Sequence, residues 1–209
     1  MKFVVLGTGF PDIIQTIEDV LLVDKSMEFI GFLDDDESKS KKKFFGYEVL
    51  GPLDWLNSNL EIYSINTIAR NLQSKANITK KLKTKNIKFV NLIHPSVNIK
   101  FAEIGNEGIL ISKNVYLEAT SKISSHTMIL HGTSIGHDCE IGENAFVGFG
   151  CNLLGNVKVG KNCLIGAGTT IYPGVQIADN SITGINSIIM SNVNEGETIS
   201  SPPSRRIFS

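Results

Sequence analysis

The sequence predicts two architectures in one chain: a small α/β unit at the N-terminus and, after it, a long all-β solenoid. Three observations carry this. Twelve branched aliphatic residues recur every sixth position from Ile111 to Ile177. A second slot four residues after each is always small or β-branched. Ahead of both lies a strand, glycine turn, helix, strand pattern that ends in a run of acids.

The first unit opens with Lys2-Phe3-Val4-Val5-Leu6, a short apolar strand running into Gly7-Thr8-Gly9. Ile13, Ile14, Ile17, Val20 and Leu21 share one helical face, with Pro11 near the helix start. Phe29-Ile30-Gly31-Phe32-Leu33 reads as a second buried strand and delivers Asp34-Asp35-Asp36. This is the front half of a Rossmann-like, nucleotide-binding α/β domain. Helix N-terminal amides there hold phosphate, and an acid after the second strand binds ribose hydroxyls. Gly7, Thr8, Gly9, Asp34 and Asp35 are therefore the candidate nucleotide contacts. A tight turn without a ligand is the alternative, because a third glycine is missing. Further strands are expected at 61–66 and 88–93, with a basic helix around 76–85. The basic run Lys39 to Lys43 directly follows the acids and reads as a solvated loop. His94-Pro95-Ser96 marks the boundary, since the residue before a proline leaves helical geometry. The division is 1–95 for the α/β domain and 96–209 for the solenoid.

In the solenoid the aliphatic positions are Ile111, Leu117, Ile123, Ile129, Ile135, Ile141, Val147, Leu153, Val159, Ile165, Ile171 and Ile177. The small positions run from Val115 and Ser121 through Cys139, Cys151 and Cys163 to Ser181. Such a period means a repeat fold, with each six-residue unit one short strand and a corner, and three units closing a triangular coil. Twelve hexads make four coils, and Ile104-Gly105 and Ile189 extend them. Coils stack at the strand spacing of roughly 4.8 Å. Glycine follows the aliphatic at Gly136, Gly142, Gly148, Gly160 and Gly166, and Gly184 fills the same slot later. The expected reason is a turn that other side chains would strain. The three cysteines share the small inward slot and read as core filler rather than metal ligands.

Composition excludes several classes. A net charge of −1 over 209 residues and a pI near 6.4 give no electrostatic case for nucleic acid. No apolar run approaches the ~18 residues of a membrane span, and Met1-Lys2 followed by four apolar residues is no signal peptide. A cytoplasmic protein is expected.

The order of a small α/β unit with Phe32-Leu33-Asp34-Asp35, then Leu92-Ile93-His94-Pro95-Ser96, then hexads carrying Gly136-His137-Asp138-Cys139-Glu140-Ile141-Gly142 and Leu154-Gly155-Asn156-Val157-Lys158-Val159-Gly160, resembles one family. It is the bacterial nucleotide-amino-sugar N-acetyltransferases and sialic acid O-acetyltransferases, hexapeptide-repeat acyltransferases with a left-handed β-helix. The resemblance supplies the left hand, which periodicity does not. It also implies a homotrimer, acetyl-CoA as acetyl donor in the groove between neighbouring β-helices, and a nucleotide-linked amino sugar on the N-terminal domain. In the family His137 is the general base and Asp138 raises its basicity. Imidazole, with an ordinary pKa of about 6.5, accepts a proton near neutral pH as an amine attacks the thioester. Adjacent strand residues point to opposite sides, so Asp138 reaches His137 only if a corner turns the chain.

Gly155 lies eighteen residues, one coil, after His137. A bare amide there can bind the thioester carbonyl or its oxyanion, although a tight corner also calls for glycine. The resemblance implies further cofactor contacts at Phe146, where the family carries a histidine, and at Ala167, Ile185 and Arg205. His131 stands beside Leu130, which aligns with a polar sugar contact, and is the substitute. Phe10-Pro11-Asp12 replaces the family's longer Gly-rich loop. Nitrogen and oxygen acceptors both remain open. Two other functions compete: a zinc hexapeptide-repeat carbonic anhydrase using His94, His126 and His131, and a non-catalytic trimeric scaffold. The stretch from Gly142 to Gly155 carries few charges, which independently points to burial against neighbouring chains.

Overall fold

The computed structural model describes residues 1–69 and 71–201. Four parallel strands form the first sheet: β1 (Lys2–Leu6), β2 (Glu28–Leu33), β4 (Tyr47–Gly51) and β5 (Tyr63–Asn66). A short β3 (Lys43–Phe44) joins antiparallel to β4, so the order is β3-β4-β2-β1-β5. Alternation along β1 sorts the helices onto two faces. Phe3 and Val5 pack with Ile13 and Ile17 of α1 (Ile13–Val23), whereas Val4 and Leu6 share a cluster with Leu82 of α2 (Leu72–Thr84). Helix α2 begins four residues before the expected 76. Asn71 caps it by accepting a bond from the Ser74 N–H at 2.9 Å.

The apolar run 88–93 is shared between two sheets. Phe89 bridges Ser64 beside β5, and then Leu92–Ile93 pairs with Leu110–Ile111 as the first rung of the β-helix. Beyond it, two-residue strands stack in three parallel sheets of a left-handed β-helix, mostly in a register of eighteen: Lys122, Glu140, Lys158 and Gln176 follow one another on one sheet. Glu103 pairs with Lys122, nineteen residues on, so the corner at 105–107 holds one extra residue. Every aliphatic of the twelve-hexad series lies inside, from Ile111 (0% exposed) to Leu117 at the most open (8%). The small slots from Val115 to Ser181 are buried too. The three thiols donate to inward carbonyls, as Cys163 Sγ does to Ala178 O at 3.0 Å. They are core groups, and burial pushes all three pKa values up.

The glycines after the aliphatic positions have another cause than the one expected. None adopts a left-handed φ; they are needed because consecutive coils touch there. A Cβ on Gly142 would sit 2.5 Å from the carbonyl carbon of Gly160, and one on Gly148 would sit 2.6 Å from the Ala167 nitrogen. The left-handed corner residue comes two positions later, at every sixth residue from Gly108 to Asn186. Asparagine or glycine fills this slot except at Thr120, His126 and Asp138. A β-branched Thr120 at φ 67° is costly backbone.

The three outer faces differ in chemistry. Outward residues of the first are apolar, and Leu92, Leu110 and Met128 are wholly buried against the α1 side of the α/β domain. Each such side chain contributes roughly 1.5–3 kcal/mol of burial. The second face carries Glu103, Lys122, Glu140 and Lys158 in cross-coil ion pairs, with Lys158 3.2 Å from Glu140. The third presents Tyr116, Ser134, Asn152, Thr170 and Ile188 and carries no charge on these rungs.

Candidate active site

His137 stands at the corner between the uncharged and the charged face, after the rung Ser134–Ile135 and before Glu140–Ile141. Asp138 takes the left-handed slot at φ 56°, and this turns the chain back so that its carboxylate meets the preceding ring. Asp138 Oδ2 lies 2.9 Å from His137 Nδ1. The alternation of an extended strand would forbid this contact; the corner permits it. Asp138 therefore holds the proton on Nδ1 and leaves Nε2 free to accept one. This hydrogen bond, helped by the charges of Asp138 and Glu118, raises the His137 pKa above its ordinary value despite slight desolvation. Asp138 is lowered by the same bond first and by the Thr120 hydroxyl second.

Two positioning residues escaped the sequence reading. Glu118 Oε2 accepts the His137 backbone N–H at 2.7 Å, and Thr120 Oγ1 accepts that of Asp138 at 3.2 Å. Thr120 lies one coil below Asp138, so the eighteen-residue register points straight to it.

Gly155 sits one coil above. A Cβ there would lie inside contact distance of His137 Nε2 and 2.7 Å from Cε1. Gly155 has no left-handed φ, so the tight-corner reading fails, and the residue is glycine because the imidazole rests on its backbone. Its carbonyl accepts from Gly174 N–H at 3.0 Å, while its own N–H has no partner among the described residues. The basic nitrogen of His137 thus lies over the Gly155 backbone on an open corner, with the His137 side chain 59% exposed.

The other expected cofactor contacts are elsewhere on this chain. Ala167 and Ile185 stack above His131 and Phe149 at the corner between the apolar and uncharged faces, and the His131 and Phe149 rings are 4.4 Å apart. Phe146 is on neither corner. Its outward position belongs to the apolar face, and it packs half-buried against the α/β core. Arg205 lies outside the described residues.

Gly7, Thr8, Gly9, Asp34 and Asp35 all line one cavity of about 370 Å3, with Lys39 and Ile68 on its walls. The acids are not both free for a ligand. Asp34 Oδ2 accepts the Thr8 N–H (3.0 Å), the Thr8 hydroxyl (2.6 Å) and Lys39 Nζ (2.9 Å). Burial pushes Asp34 up, but these bonds outweigh it and hold the pKa at about 2. Asp34 thus fastens the glycine loop. Asp35 gives Oδ1 to the Leu53 N–H at 2.8 Å and keeps its other oxygen exposed. The amides of Ile13 and Ile14 at the start of α1 are already bonded to Phe10 and Pro11 carbonyls, which leaves that helix end a poor phosphate cradle. A second, separate cleft of about 450 Å3 lies between Asp12, Gln15, Phe45, Ser112 and His131.

The zinc triad does not assemble. His94 spends Nε2 on Asp19 and Nδ1 on Ser96, both at 2.8 Å. His126 is buried at a different corner from His131, edge-on to Phe89. Among the described residues no group of three His, Cys, Asp or Glu is placed to hold a metal ion, and no helix is long and apolar enough to cross a membrane.

A sequence profile for the bacterial transferase hexapeptide (six repeats) matches residues 120–155, 138–173 and 156–191. Among solved structures, the chain is similar to PerB from Caulobacter crescentus in complex with CoA and GDP-perosamine, with 24% identity, TM-score 0.83, and 98% of this chain and 96% of that one covered. The acetyltransferase domain of PglB from Neisseria gonorrhoeae FA1090, in complex with acetyl coenzyme A, matches at 20% identity and TM-score 0.81 over 99% and 98%. WeeI from Acinetobacter baumannii AYE matches at 20% and 0.82 over 98% and 99%. The fold is theirs. Likeness extends through both the α/β domain and the β-helix, so the chain has the full architecture of these relatives rather than the repeat alone.

Proposed function

We propose that the protein is an acetyl-CoA-dependent N-acetyltransferase that acetylates the amine of a nucleotide-linked amino sugar. The observation that carries this reading is the His137–Asp138 pair, with Nε2 resting on the Gly155 backbone. The acceptor amine attacks the thioester carbonyl, and a carbon–nitrogen bond forms. His137 Nε2 takes the amine proton, and the Gly155 N–H receives the developing oxyanion. The carbon–sulfur bond then breaks, and the imidazolium returns the proton to the CoA thiolate. The amide product and free CoA leave, and His137 is restored. PerB was solved with CoA and GDP-perosamine, and variants of that enzyme with one histidine replaced were solved with the same two ligands, which supports this assignment.

The nucleotide occupies the cavity of Gly7, Thr8, Gly9 and Asp35, while Asp34 holds its loop. The sugar follows residues 9–12 into the cleft beside His131. The α/β domain thus serves acceptor binding, with the β-helix closing the sugar cleft at His131, and the β-helix serves acyl transfer. In one chain this cleft and His137 are at different corners of the prism, so a neighbour must supply the base. The uncharged face between those corners is the surface that packs, and a homotrimer brings one chain's Gly155 corner to the next chain's Ala167 and Ile185. Acetyl-CoA lies in that groove. The cytoplasm supplies it.

His137→Ala tests the reading. It should lower kcat/KM by 10²–10⁴-fold, about 3–5 kcal/mol of barrier, and leave acetyl-CoA affinity within about twofold. Unchanged turnover of GDP- or UDP-linked amino sugars would remove His137 from the chemistry.

A further inference from the structure

Away from the His137 corner, a cavity of about 290 Å3 opens where α2 leans on the corner between the charged and apolar faces. Lys80 and Lys83 of α2 face Lys161, Glu143, Asn144 and His126 of the β-helix across it. The back of the cavity is built from polar groups that the fold leaves unanswered. His126 is 1% exposed and Asn144 4% exposed, and both His126 ring nitrogens and Asn144 Oδ1 lack a hydrogen-bond partner among the described residues. Glu107 stands 3.5 Å from His126 Nε2, too far for a good bond, and gives its short contact to Lys83 instead, at 2.7 Å. Nδ1 rests on the Gly108 backbone, which is outside the cavity, but buried polar atoms are ordinarily satisfied, so His126 Nε2 and Asn144 Oδ1 mark a place where something else binds.

The charge defines what that is. Lys80, Lys83 and Lys161 outnumber Glu107 and Glu143, and the wholly buried Lys75 lies behind, donating to the His126 carbonyl with no carboxylate near it. The corner is locally positive in a chain of net charge −1.

We propose that this cavity binds a small phosphate-class oxyanion, either inorganic phosphate or a compact phosphomonoester. The lysines come from two separate elements, so the anion's oxygens accept from α2 and the β-helix together and clamp one to the other. A singly protonated phosphate also carries an O–H, which donates to Asn144 Oδ1, and the His126 Nε2–H completes the set. Nothing in this site touches the groups assigned to acetyl transfer, and the proposal stands without that assignment.

Titration calorimetry and thermal unfolding of the full chain at fixed ionic strength, with chloride as the balancing anion, test it. Inorganic phosphate should bind and raise Tm, and chloride should not. Lys80→Gln and Lys161→Gln, both on exposed residues, should each weaken phosphate about tenfold, the usual worth of one charge-assisted hydrogen bond. Lys41→Gln, in a remote exposed loop, should leave it unchanged. Glucose 6-phosphate separates the two sources: affinity at or above that of phosphate identifies an ester, and binding of phosphate alone identifies the free ion. An equal Tm rise with chloride, or wild-type phosphate affinity in the Lys80→Gln/Lys161→Gln double variant, would overturn the proposal.

Discussion

Gly155→Ala is the sharpest probe of the active site, because the structure separates its effect on the base from any effect on the fold. Gly155 has an ordinary backbone φ, so alanine suffers no left-handed strain. The added methyl carbon instead meets the imidazole, 2.7 Å from Cε1 and 3.0 Å from Cδ2, where ordinary contact begins at 3.4 Å. The ring must retreat by about 1 Å, and a misplacement of that size costs ~10²-fold in rate. That equals about 2.7 kcal/mol of barrier. The His137 side chain is 59% exposed, so it moves into solvent and disturbs no core packing. Initial rates of CoA release should give kcat down about a hundredfold, with Tm within about 2 °C of wild type. Gly142→Ala is the counter-case. Its methyl would strike the Gly160 backbone 2.5 Å away, far from His137, and should lower Tm rather than kcat. Full activity in Gly155→Ala would show that the observed ring position is not the working one. Equal loss of Tm in both variants would show that Gly155 is merely structural.

Asp138→Asn removes the bond that raises the His137 pKa. Because the base must be unprotonated to act, the acidic limb of the pH–rate profile should move to lower pH, with a smaller fall in kcat than in His137→Ala. If the proposed trimer packs through the uncharged face, charges placed there, as in Asn152→Glu with Thr170→Glu, should reduce the mass measured by light scattering from that of three chains towards one. Gln176→Glu on the charged face should not change it. Lys75 is fully buried with no counter-ion among the described residues, and desolvation lowers its pKa to about 7. The unfolded chain, with a lysine of ordinary pKa, binds more protons between about pH 7 and 10.5, so stability should rise with pH across that window. Lys75→Met should flatten this rise and unfold at higher denaturant than wild type at pH 7.

The β-helix core was legible because a solenoid converts sequence period directly into inward position, so Ile111 to Ile177 and Val115 to Ser181 could be read one by one. What the period did not reveal was why a glycine stands where it does. Sequence shows Gly142 and Gly150 alike, yet one avoids a neighbouring coil and the other adopts a left-handed φ of 61°. The hairpin of β3 and β4 was missed because its strands are short and partly charged. Its turn, Phe45-Gly46, has positive φ at both residues, the two-residue geometry that suits twisted strands. The run 88–93 was legible as strand but not as two half-strands, since an apolar run does not say which sheet receives it. Asp34 was correctly placed at the end of β2. Its partners Thr8 and Lys39 depend on loop geometry that no spacing encodes, so its part in fastening the loop was not legible.

The histidines show how far position alone can go. Spacings of five and six, as among His126, His131 and His137, look like clustering in a linear sequence. On a prism with six residues per side they place each residue at the next corner, so His126, His131 and His137 must diverge. A metal triad that includes both His126 and His131 conflicts with that count. The same count sends Gly155 back to His137, Thr120 to Asp138 and Asn144 to His126. In this fold residues meet across coils, at intervals of eighteen, and a site is found by reading the sequence down the stack rather than along the strand.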